Sequence, residues 1–579
     1  MRRSRVVAVA AASAAVLGVV YLTLPPMGSD LSAQVARADF FAANGLAPVD
    51  LRWYGGVQQF GYSLLAQPVM ALLGVRVTGA LALLGAASAF AALLVRTRVP
   101  RPLLGSLVGV LTIAGNLVSG RVTYGLGVAF GLGALLALTL PGRAGPETGP
   151  AAPDGVPGGR PTRSVPDAGH SRCAAGRVGR PALPRLGLAA AGALLASATS
   201  PVAGLFVGLA GAALLLTRRY ADGLTLGVAA ALPLGVTALL FGDGGWMNIS
   251  RTDTVRAVVT SLLVAALVAY RPVRVGALLS AAGVAAAALV HTPVGLNATR
   301  LAVMFGLPVL AATARPPAWL TRRLPGAASR AAGPGASRPA GGPQRRRGRV
   351  LPAGALAALL VAVCVWQPPV VPADLRGVGG PTTRPGYFAP LRSWLDGQRL
   401  TGRVEVPPTR DYWEAAALGE VPLARGWLRQ ADIDRNPLFF TTVPGAAGTG
   451  VPLTPASYRA WLAENAVQYV AVPDAPLSWV GRAEAELVTG GLPYLTPVWS
   501  GRHWRVWAVA DPTPIVGAPA ELVGHDGATL TFRAPAAGTV PVRVRHSRWL
   551  TASGGATVAA DGEWTAVTVP RAGSYTLGS

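Results

Sequence analysis

The sequence has no lysine, two cysteines and five histidines among its 579 residues. Cys173 lies in an arginine-rich linker and Cys364 in an apolar run, so a disulfide between them is implausible. The histidines lack the spacing of metal ligands, which excludes a histidine-based metal centre. A nucleotide-binding glycine loop and a Ser/His/Asp arrangement are also missing. Because every basic residue is an arginine, the composition is typical of a GC-rich bacterial genome.

Charge is scarce, whereas long apolar runs are abundant. Only 13% of the residues are charged and 51% are hydrophobic. Apolar runs of about 15–20 residues recur through the first 367 positions, and a helix of this length crosses a bilayer. The sequence therefore predicts an integral membrane protein. The predicted spans are residues 6–24, 78–95, 103–119, 122–140, 186–200, 201–217, 223–241, 255–270, 275–291, 300–314 and 350–366.

The net charge of +25 is unevenly distributed along the chain. Six short linkers between apolar runs hold 26 arginines and four acidic residues, whereas residues 368–579 hold 18 arginines and 17 acidic residues. This pattern follows the positive-inside rule, and it excludes nucleic acid as a partner. The rule places the N-terminus in the cytoplasm. Eleven crossings then put residues 25–77, the first outer loop, and everything after Trp366 outside the cell membrane.

The predicted fold class combines a polytopic membrane domain with an exported C-terminal region. Residues 1–367 form an α-helical domain of about eleven transmembrane helices. Within it, the Pro/Gly/Arg-rich stretches 141–185 and 315–349 cannot bury a core, so we expect disordered cytoplasmic linkers. The Ser200-Pro201 step leaves open whether the chain forms two helices there or one kinked helix.

Two extracytoplasmic units are predicted after the last span. Residues 368–511 indicate an α/β domain, because a helix at 457–465 precedes a short buried strand at 468–472. Residues 512–579 alternate apolar and polar positions between glycines, which is typical of a small β-sandwich.

The first outer loop is the most polar and aromatic part of the membrane domain. Asp30, Gln34 and Arg37 are spaced to share one face of a helix over residues 31–44. Gly45 stands where a glycine commonly ends a helix. Such a helix lies along a membrane surface rather than through the bilayer. We interpret this loop as the rim of an active site.

An acidic residue directly after the first span, followed by a surface helix and an aromatic segment, resembles the GT-C superfamily of polytopic glycosyltransferases. These enzymes use polyprenyl-phosphate sugars on the outer face of the membrane. The resemblance rests on Asp30 with the helix 31–44, the segment 52–56 (RWYGG) and the apolar stretch 62–73. The segments 119–138, 199–210 and 293–311 also look like membrane segments of bacterial members.

The resemblance implies that Asp30 is the general base on an acceptor hydroxyl, with Asp50 as the second candidate. A donor phosphate needs cationic groups at the outer membrane edge, and the candidates are Arg300, Arg52 and Arg121. Contacts to the sugar or acceptor are expected from Gln34, Arg37, Trp53, Tyr54, Trp413, Glu414 and Trp427. The alternatives are a helix cap for Asp30, snorkelling for the arginines and ordinary packing for the tail residues.

The implied function is transfer of a sugar from a polyprenyl-phosphate carrier to a cell-envelope glycan or lipid on the outer face of the membrane. The expected partners are the lipid-linked sugar, the acceptor and membrane lipids. The sequence specifies no cofactor and no metal ligand, and it leaves a divalent cation open. Two other classes remain: a transporter or flippase of an envelope precursor, and a non-catalytic scaffold with an exported domain. A transporter tends to show inverted halves and charges near the midplane of its spans, and the sequence shows neither.

Overall fold

The computed structural model describes residues 3–141, 183–242, 244–315, 351–446 and 450–579. Cys173 and nearly all of the two predicted linkers lie outside these ranges. In the described residues, a helical region of membrane type is followed by a C-terminal region rich in β-strands.

Each of the eleven apolar segments coincides with a helix, and two further helices lie in the first outer loop. The helices are α1 (Arg3–Thr23), α2 (Leu31–Asn44), α3 (Ala66–Leu73), α4 (Val75–Arg96), α5 (Pro102–Val118), α6 (Val122–Ala137), α7 (Leu183–Thr199), α8 (Pro201–Leu216), α9 (Tyr220–Phe241), α10 (Arg251–Leu267), α11 (Arg271–Leu289), α12 (Arg300–Thr313) and α13 (Ala353–Trp366).

By length and composition, five helical segments in the described part can cross a membrane: Ser4–Thr23, Val75–Arg96, Tyr220–Phe241, Arg271–Leu289 and Gly295–Thr313. Four more are apolar but shorter: Pro102–Val118, Val122–Ala137, Pro201–Leu216 and Ala353–Trp366. A helical membrane-type region is therefore present, while the number of eleven spans stays a prediction.

Small side chains fill the contacts between the first helices. Ala10 and Ala14 on α1 and Ala86 on α4 are fully buried in one apolar cluster that also includes α5 and α6. Small residues let helix backbones approach closely, and the resulting van der Waals packing stabilises helix association in an apolar environment. This cluster forms the support on which the first outer loop rests.

The Ser200-Pro201 step separates two helices. Ser200 has extended backbone angles (φ −148°, ψ 115°), and its side chain accepts a hydrogen bond from the backbone N–H of Ala203. Pro201 then occupies the first helical position, where its missing N–H costs nothing. The question that the sequence left open is thus resolved in favour of two helices.

The first outer loop contains the helix predicted at residues 31–44. α2 spans Leu31–Asn44 and ends at Gly45, whose φ is +59°. A short antiparallel ladder of β1 (Val49–Asp50) and β2 (Val57–Gln58) follows, and then α3 leads back to the helical region.

The first half of the C-terminal region is an α/β unit. Its sheet has the order β3–β4–β6–β5, in which only β3 and β4 are parallel. The strands are β3 (Arg403–Glu405), β4 (Val467–Pro473), β5 (Leu495–Ser500) and β6 (Trp504–Val509). The helices are α14 (Pro372–Arg376), α15 (Pro385–Asp396), α16 (Glu414–Ala417), α17 (Arg429–Arg435), α18 (Pro455–Glu464) and α19 (Arg482–Thr489). α18 and β4 are the helix and the buried strand that the sequence predicts.

The last part of the chain is a two-sheet β-structure, as its alternating pattern predicts. One antiparallel sheet has the order β10–β13–β8–β7 and the other β11–β12–β9. Phe532 and Tyr575 of the first sheet and Val567 of the second are buried in one core. The strands are β7 (Glu521–His525), β8 (Thr529–Ala534), β9 (Gly538–Arg545), β10 (Thr551–Ala552), β11 (Thr557–Asp561), β12 (Trp564–Val569) and β13 (Gly573–Gly578).

Arg425 lies with three carboxylates in the core of the α/β unit. Its Nε and Nη2 donate to the two oxygens of Asp432 at 3.0 Å, and its Nη1 donates to Glu484 at 3.0 Å. Glu405 is 3.7 Å away, and all four side chains are essentially inaccessible. Burial raises the pKa of Glu405 well above its usual range, and Glu484 adds to this shift. Burial also raises the pKa of Glu484 to about 7, against the opposing effect of Arg425.

This cluster predicts that the free energy of unfolding falls as the pH rises. Below about pH 4.5 both states are protonated, whereas above it the unfolded chain releases protons that folded Glu405 and Glu484 retain. Each retained proton costs about 1.4 kcal/mol per pH unit, and Glu484 contributes this loss up to about pH 7. Unfolding of the detergent-solubilised protein, followed by tryptophan fluorescence between pH 5 and 8, measures the slope.

The matched variants are Glu405→Gln and Glu486→Gln. The first replaces a protonated acid by an amide of the same shape and should flatten the slope by about 1.4 kcal/mol per pH unit. The second changes an exposed residue of α19 and should leave the slope unchanged. Stability that increases from pH 5 to 8 in the unmodified protein would contradict the assignment.

Candidate functional site

The N-terminus of α2 is packed tightly against the turn between α5 and α6. Gly28 has φ +97°, and a Cβ there would lie 2.3 Å from the carbonyl oxygen of Val118. Gly120 has φ +76°, and a Cβ there would lie 2.4 Å from the backbone nitrogen of Leu31. Any side chain at either position would push the two segments apart. The backbone N–H of Asp30 donates to the carbonyl of Ser119 at 3.1 Å, which fixes the position of Asp30 at this turn.

Three of the predicted site residues meet at this turn. Nε of Arg121 donates to Oδ2 of Asp30 at 2.9 Å, and Nη2 of Arg300 lies 3.8 Å from the same oxygen. Arg121 precedes α6 and Arg300 is the first residue of α12, so residues far apart in sequence converge through helix ends. The side chains of Asp30 and Arg121 are about a quarter exposed. The carboxylate is therefore accessible as well as paired.

Asp30 does not act as a side-chain cap of α2. Its backbone is in the helical region (φ −96°, ψ −6°), and its side chain makes no capping hydrogen bond. The carboxylate is directed to Arg121 and Arg300 instead. The cap alternative raised by the sequence is therefore not realised.

Arg300 retains hydrogen-bonding capacity. Its guanidinium lies 5.2 Å from the ring centre of Tyr124, and the contact to Asp30 is long. Its Nη1 is buried and has no hydrogen-bond partner in the described residues. An arginine with an unused donor beside a second arginine is suited to binding an anionic group such as a phosphate.

The other predicted residues of α2 lie along the same helix. Gln34 is buried and accepts a hydrogen bond from the hydroxyl of Thr123. Arg37 stacks on the ring of Tyr62 with a centre distance of 4.4 Å and makes no ion pair in the described residues. Burial lowers the pKa of Arg37, against the opposing effects of Tyr62, Asp50 and Asp30. Gln34 thus links α2 to α6, whereas Arg37 is a cation without an ion-pair partner in the described residues.

Trp427 brings the C-terminal region to the site. Its indole N–H donates to the carbonyl of Ser29 at 2.6 Å, next to Asp30. Its ring stacks on Tyr412 with centres 3.8 Å apart and an interplanar angle of 9°. Arg429 lies 5.1 Å from the Trp427 ring and donates to the hydroxyl of Tyr412 at 3.1 Å. Trp427 is partly exposed, so it can contact a substrate at the edge of the site.

Asp50 and Arg52, by contrast, are matched to each other. Nε and Nη2 of Arg52 donate to the two carboxylate oxygens of Asp50 at 3.0 and 2.8 Å. The two side chains are only 3–4% exposed. Nη2 of Arg52 also donates to the carbonyl of Ala36. The geometry therefore argues against Asp50 as a base and Arg52 as a phosphate ligand, and favours a structural role in holding α2.

The aromatic segment that the sequence placed at the rim is buried under the C-terminal region. Trp53 and Tyr54 are 1% and 2% exposed. Trp53 packs against Gly426, and the Tyr54 hydroxyl donates to the carbonyl of Gly426 at 2.7 Å. The backbone N–H of Leu423 donates to the carbonyl of Arg52, which joins the loop to the α/β unit. Neither ring has a free face for a sugar in this arrangement.

Trp413 and Glu414 are also buried rather than displayed. Glu414 accepts hydrogen bonds from the hydroxyl and the backbone N–H of Thr409, and burial raises its pKa to about 7. Trp413 is 9% exposed and belongs to the apolar cluster beneath the first outer loop. Both side chains therefore pack in the interior of the protein, which argues against a contact to the acceptor.

The structure adds residues that the sequence did not single out. Asp374 is buried beside the site, where it accepts from the backbone N–H of Ser29 and the hydroxyl of Ser119. A single acid after the last span gives no signal of this role, because its two partners are more than 250 residues away. The described residues contain no group of three or more potential metal ligands.

We predict that Asp50→Asn destabilises the protein whereas Asp30→Asn does not. Loss of the Asp50 charge removes the bidentate counter-ion of the buried Arg52, which costs about 3–5 kcal/mol. Asp30 is partly exposed, and its pairing contributes about 1 kcal/mol or less. Thermal unfolding in detergent measures the difference. Asp39→Asn on the exposed face of α2 is the control, and wild-type stability of Asp50→Asn would refute the structural role.

No protein-family model matches the chain, and no curated protein matches it significantly. The chain is similar in structure to arabinofuranosyltransferase AftD from Mycobacteria, with a TM-score of 0.43 and 18% identity over 92% of this chain and 41% of that chain. Two structures of a mutant of that enzyme give TM-scores of 0.46 and 0.43 at 18% and 17% identity. The chain spans less than half the length of these proteins, and TM-scores this low carry no argument about activity.

Proposed function

We propose that this protein is a membrane glycosyltransferase that moves a sugar from a polyprenyl-phosphate carrier to a cell-envelope glycan or lipid. The observation that carries the proposal is the convergence of Asp30, Arg121 and Arg300. A partly exposed carboxylate beside two guanidinium groups combines a proton acceptor with a binding site for a phosphate. An inverting transfer from a phosphate carrier requires both.

The three residues act in different roles in this proposal. Asp30 takes the proton from the acceptor hydroxyl as the hydroxyl oxygen attacks the anomeric carbon. Arg121 and Arg300 bind the phosphate of the donor and stabilise the negative charge that remains on the leaving polyprenyl phosphate. Arg121 also holds Asp30 in place through the 2.9 Å hydrogen bond.

The position of the cluster supports a lipid-linked donor. Asp30 follows α1, Arg121 precedes α6, and Arg300 begins α12, so all three lie at helix ends on one side of the helical region. The positive-inside rule makes this the outer side, where the exported C-terminal region also lies. A polyprenyl carrier would keep its chain in the bilayer and present its sugar at this level.

Residues around the cluster would contact the sugar and the acceptor. Arg37 makes no ion pair in the described residues, and Trp427 is partly exposed while its indole N–H donates to Ser29. The side-chain oxygen of Gln34 already accepts a hydrogen bond from Thr123. Gln34 would therefore act indirectly, by holding Thr123 in place. Arg121 and Arg300 would supply positive charge for the donor phosphate.

Replacement of Asp30 by Asn should abolish transfer without loss of protein. Removal of a general base lowers the rate about 100-fold or more. Cells that carry only this variant should lack one envelope glycan or accumulate its lipid-linked sugar. Glycan analysis and lipid extraction measure both, together with the abundance of the variant in membranes.

Asp39→Asn is the matched control, because it makes the same change on the exposed face of the same helix. It should leave the glycans unchanged. Wild-type glycans in the Asp30→Asn strain would exclude the proposed base and favour a scaffold or a transporter.

Replacement of Arg300 by Gln should weaken binding of the donor phosphate. A charge-assisted hydrogen bond contributes about 1.5–3 kcal/mol, which corresponds to about 10–100-fold in affinity. Binding of a polyprenyl monophosphate to the protein in nanodiscs measures the effect. Arg251→Gln removes an exposed arginine at the start of α10 and should leave the affinity unchanged. Equal affinities in both variants would contradict the assignment.

A further inference from the structure

Besides the bond between Arg121 and the Asp30 carboxylate, four hydrogen bonds from other parts of the described chain hold the segment that carries Asp30. From the helical region, the carbonyl of Ser119 accepts from the backbone N–H of Asp30 at 3.1 Å. From the C-terminal region, Asp374 accepts from the N–H of Ser29 at 3.2 Å, and Trp427 donates to the carbonyl of Ser29 at 2.6 Å. The hydroxyl of Ser32 donates to the backbone carbonyl of Asp411 at 2.7 Å. The C-terminal region therefore contributes three of the four contacts.

The Asp374 carboxylate contacts both the segment that carries Asp30 and the end of α5. Its Oδ1 accepts from the N–H of Ser29, and its Oδ2 accepts from the hydroxyl of Ser119 at 2.6 Å. Ser119 is adjacent to the turn that leads to Arg121. One carboxylate thus links the segment of the proposed base to the segment of the proposed phosphate ligand. Asp374 is only 3% exposed, so it does not contact a substrate directly.

We propose that Asp374 is a positioning residue that sets Asp30 relative to Arg121 by bridging Ser29 and Ser119. This inference rests on the function proposed above. The bridge spans the chain from residue 29 to residue 374, so the site is complete only when the start of the C-terminal region is docked. The exported region accordingly has a part in the reaction that is separate from any contact with the acceptor.

The mechanism of the effect is geometric. If the bridge is lost, Ser29 and Asp30 retain the bonds to Trp427, Ser119 and Arg121, but the second link between the two segments, through the Asp374 carboxylate, is removed. A displacement of about 1 Å at a reacting group can lower a rate about 100-fold. Affinity for the donor phosphate should change much less, because Arg300 is held by α12 and the backbone of Arg121 is bonded to Asn116 and Gly125, which the bridge does not contact.

The test compares Asp374→Ala, Ser119→Ala and the double variant in full-length protein. Turnover of the lipid-linked sugar pool in cells should fall about 10–100-fold in Asp374→Ala. The double variant should match Asp374→Ala, because Ser119→Ala removes a bond that is already lost there. Affinity for polyprenyl monophosphate in nanodiscs should stay within about threefold of the unmodified protein. Asp374→Asn, which can keep one of the two bonds, should recover part of the turnover.

Amide hydrogen exchange supplies a measurement that does not depend on activity. Exchange at Ser29 should accelerate at least about tenfold in Asp374→Ala, since this N–H loses its acceptor. Asp396→Ala is the matched control: Asp396 is an exposed carboxylate at the end of α15, in the same C-terminal region, and makes no ion pair or side-chain hydrogen bond in the described residues. It should leave both the exchange at Ser29 and the turnover unchanged.

The outcomes separate this proposal from the function on which it rests. Normal turnover in Asp374→Ala, alongside inactive Asp30→Asn, would overturn the positioning role alone. Normal glycans in Asp30→Asn would overturn the proposed function, whereas the exchange rate at Ser29 would still show whether Asp374 holds the loop. Unchanged exchange at Ser29 in Asp374→Ala would show that Asp374 does not hold the Ser29 N–H, and it would overturn the proposed bridge. A loss of turnover shared equally by Asp396→Ala would make the effect unspecific for the bridge and also overturn the proposal.

Discussion

The close packing of the first outer loop between the helical region and the C-terminal region is the constraint on which the site depends. Gly28 and Gly120 let the start of α2 approach the turn between α5 and α6 so closely that no side chain would fit between them. This approach places the Asp30 carboxylate within hydrogen-bonding distance of Arg121. The ion-pair cluster is a consequence of backbone contact, and the charges alone would not bring these segments together.

The loop contains two acid–arginine pairs that are physically different. Asp50 and Arg52 form a buried, bidentate pair in which each charge satisfies the other. Asp30 and Arg121 form a partly exposed pair with a single short contact. A buried pair is expensive to break and unavailable to a ligand, whereas an exposed pair exchanges partners at little cost. The same residue types therefore stabilise the fold in the Asp50–Arg52 pair and are suited to catalysis in the Asp30–Arg121 pair.

Sequence reasoning succeeded where the signal was local. An acid directly after a span and arginines at the ends of spans are unusual in an apolar chain, and these features single out Asp30, Arg121 and Arg300, whose side chains lie together in the structure. The helix 31–44 and the β-strands after residue 512 followed from periodicity. Burial of the aromatic segment could not be predicted in this way, because Trp53 and Tyr54 are covered by a chain segment near Gly426.

Asp374 shows why hydrogen-bond partners that are distant in sequence cannot be predicted from a single sequence, although they bear on the proposed mechanism. Nothing within several residues of it indicates a role, since both partners lie in the first 120 residues. Its contacts also bear on the role of the C-terminal region. A tail that only recognised an acceptor could be flexibly attached, but one that supplies a buried carboxylate to the loop of the proposed base must stay docked. Motion of the C-terminal region would then alter the geometry around Asp30, so acceptor binding and the chemical step would be coupled through one rigid contact.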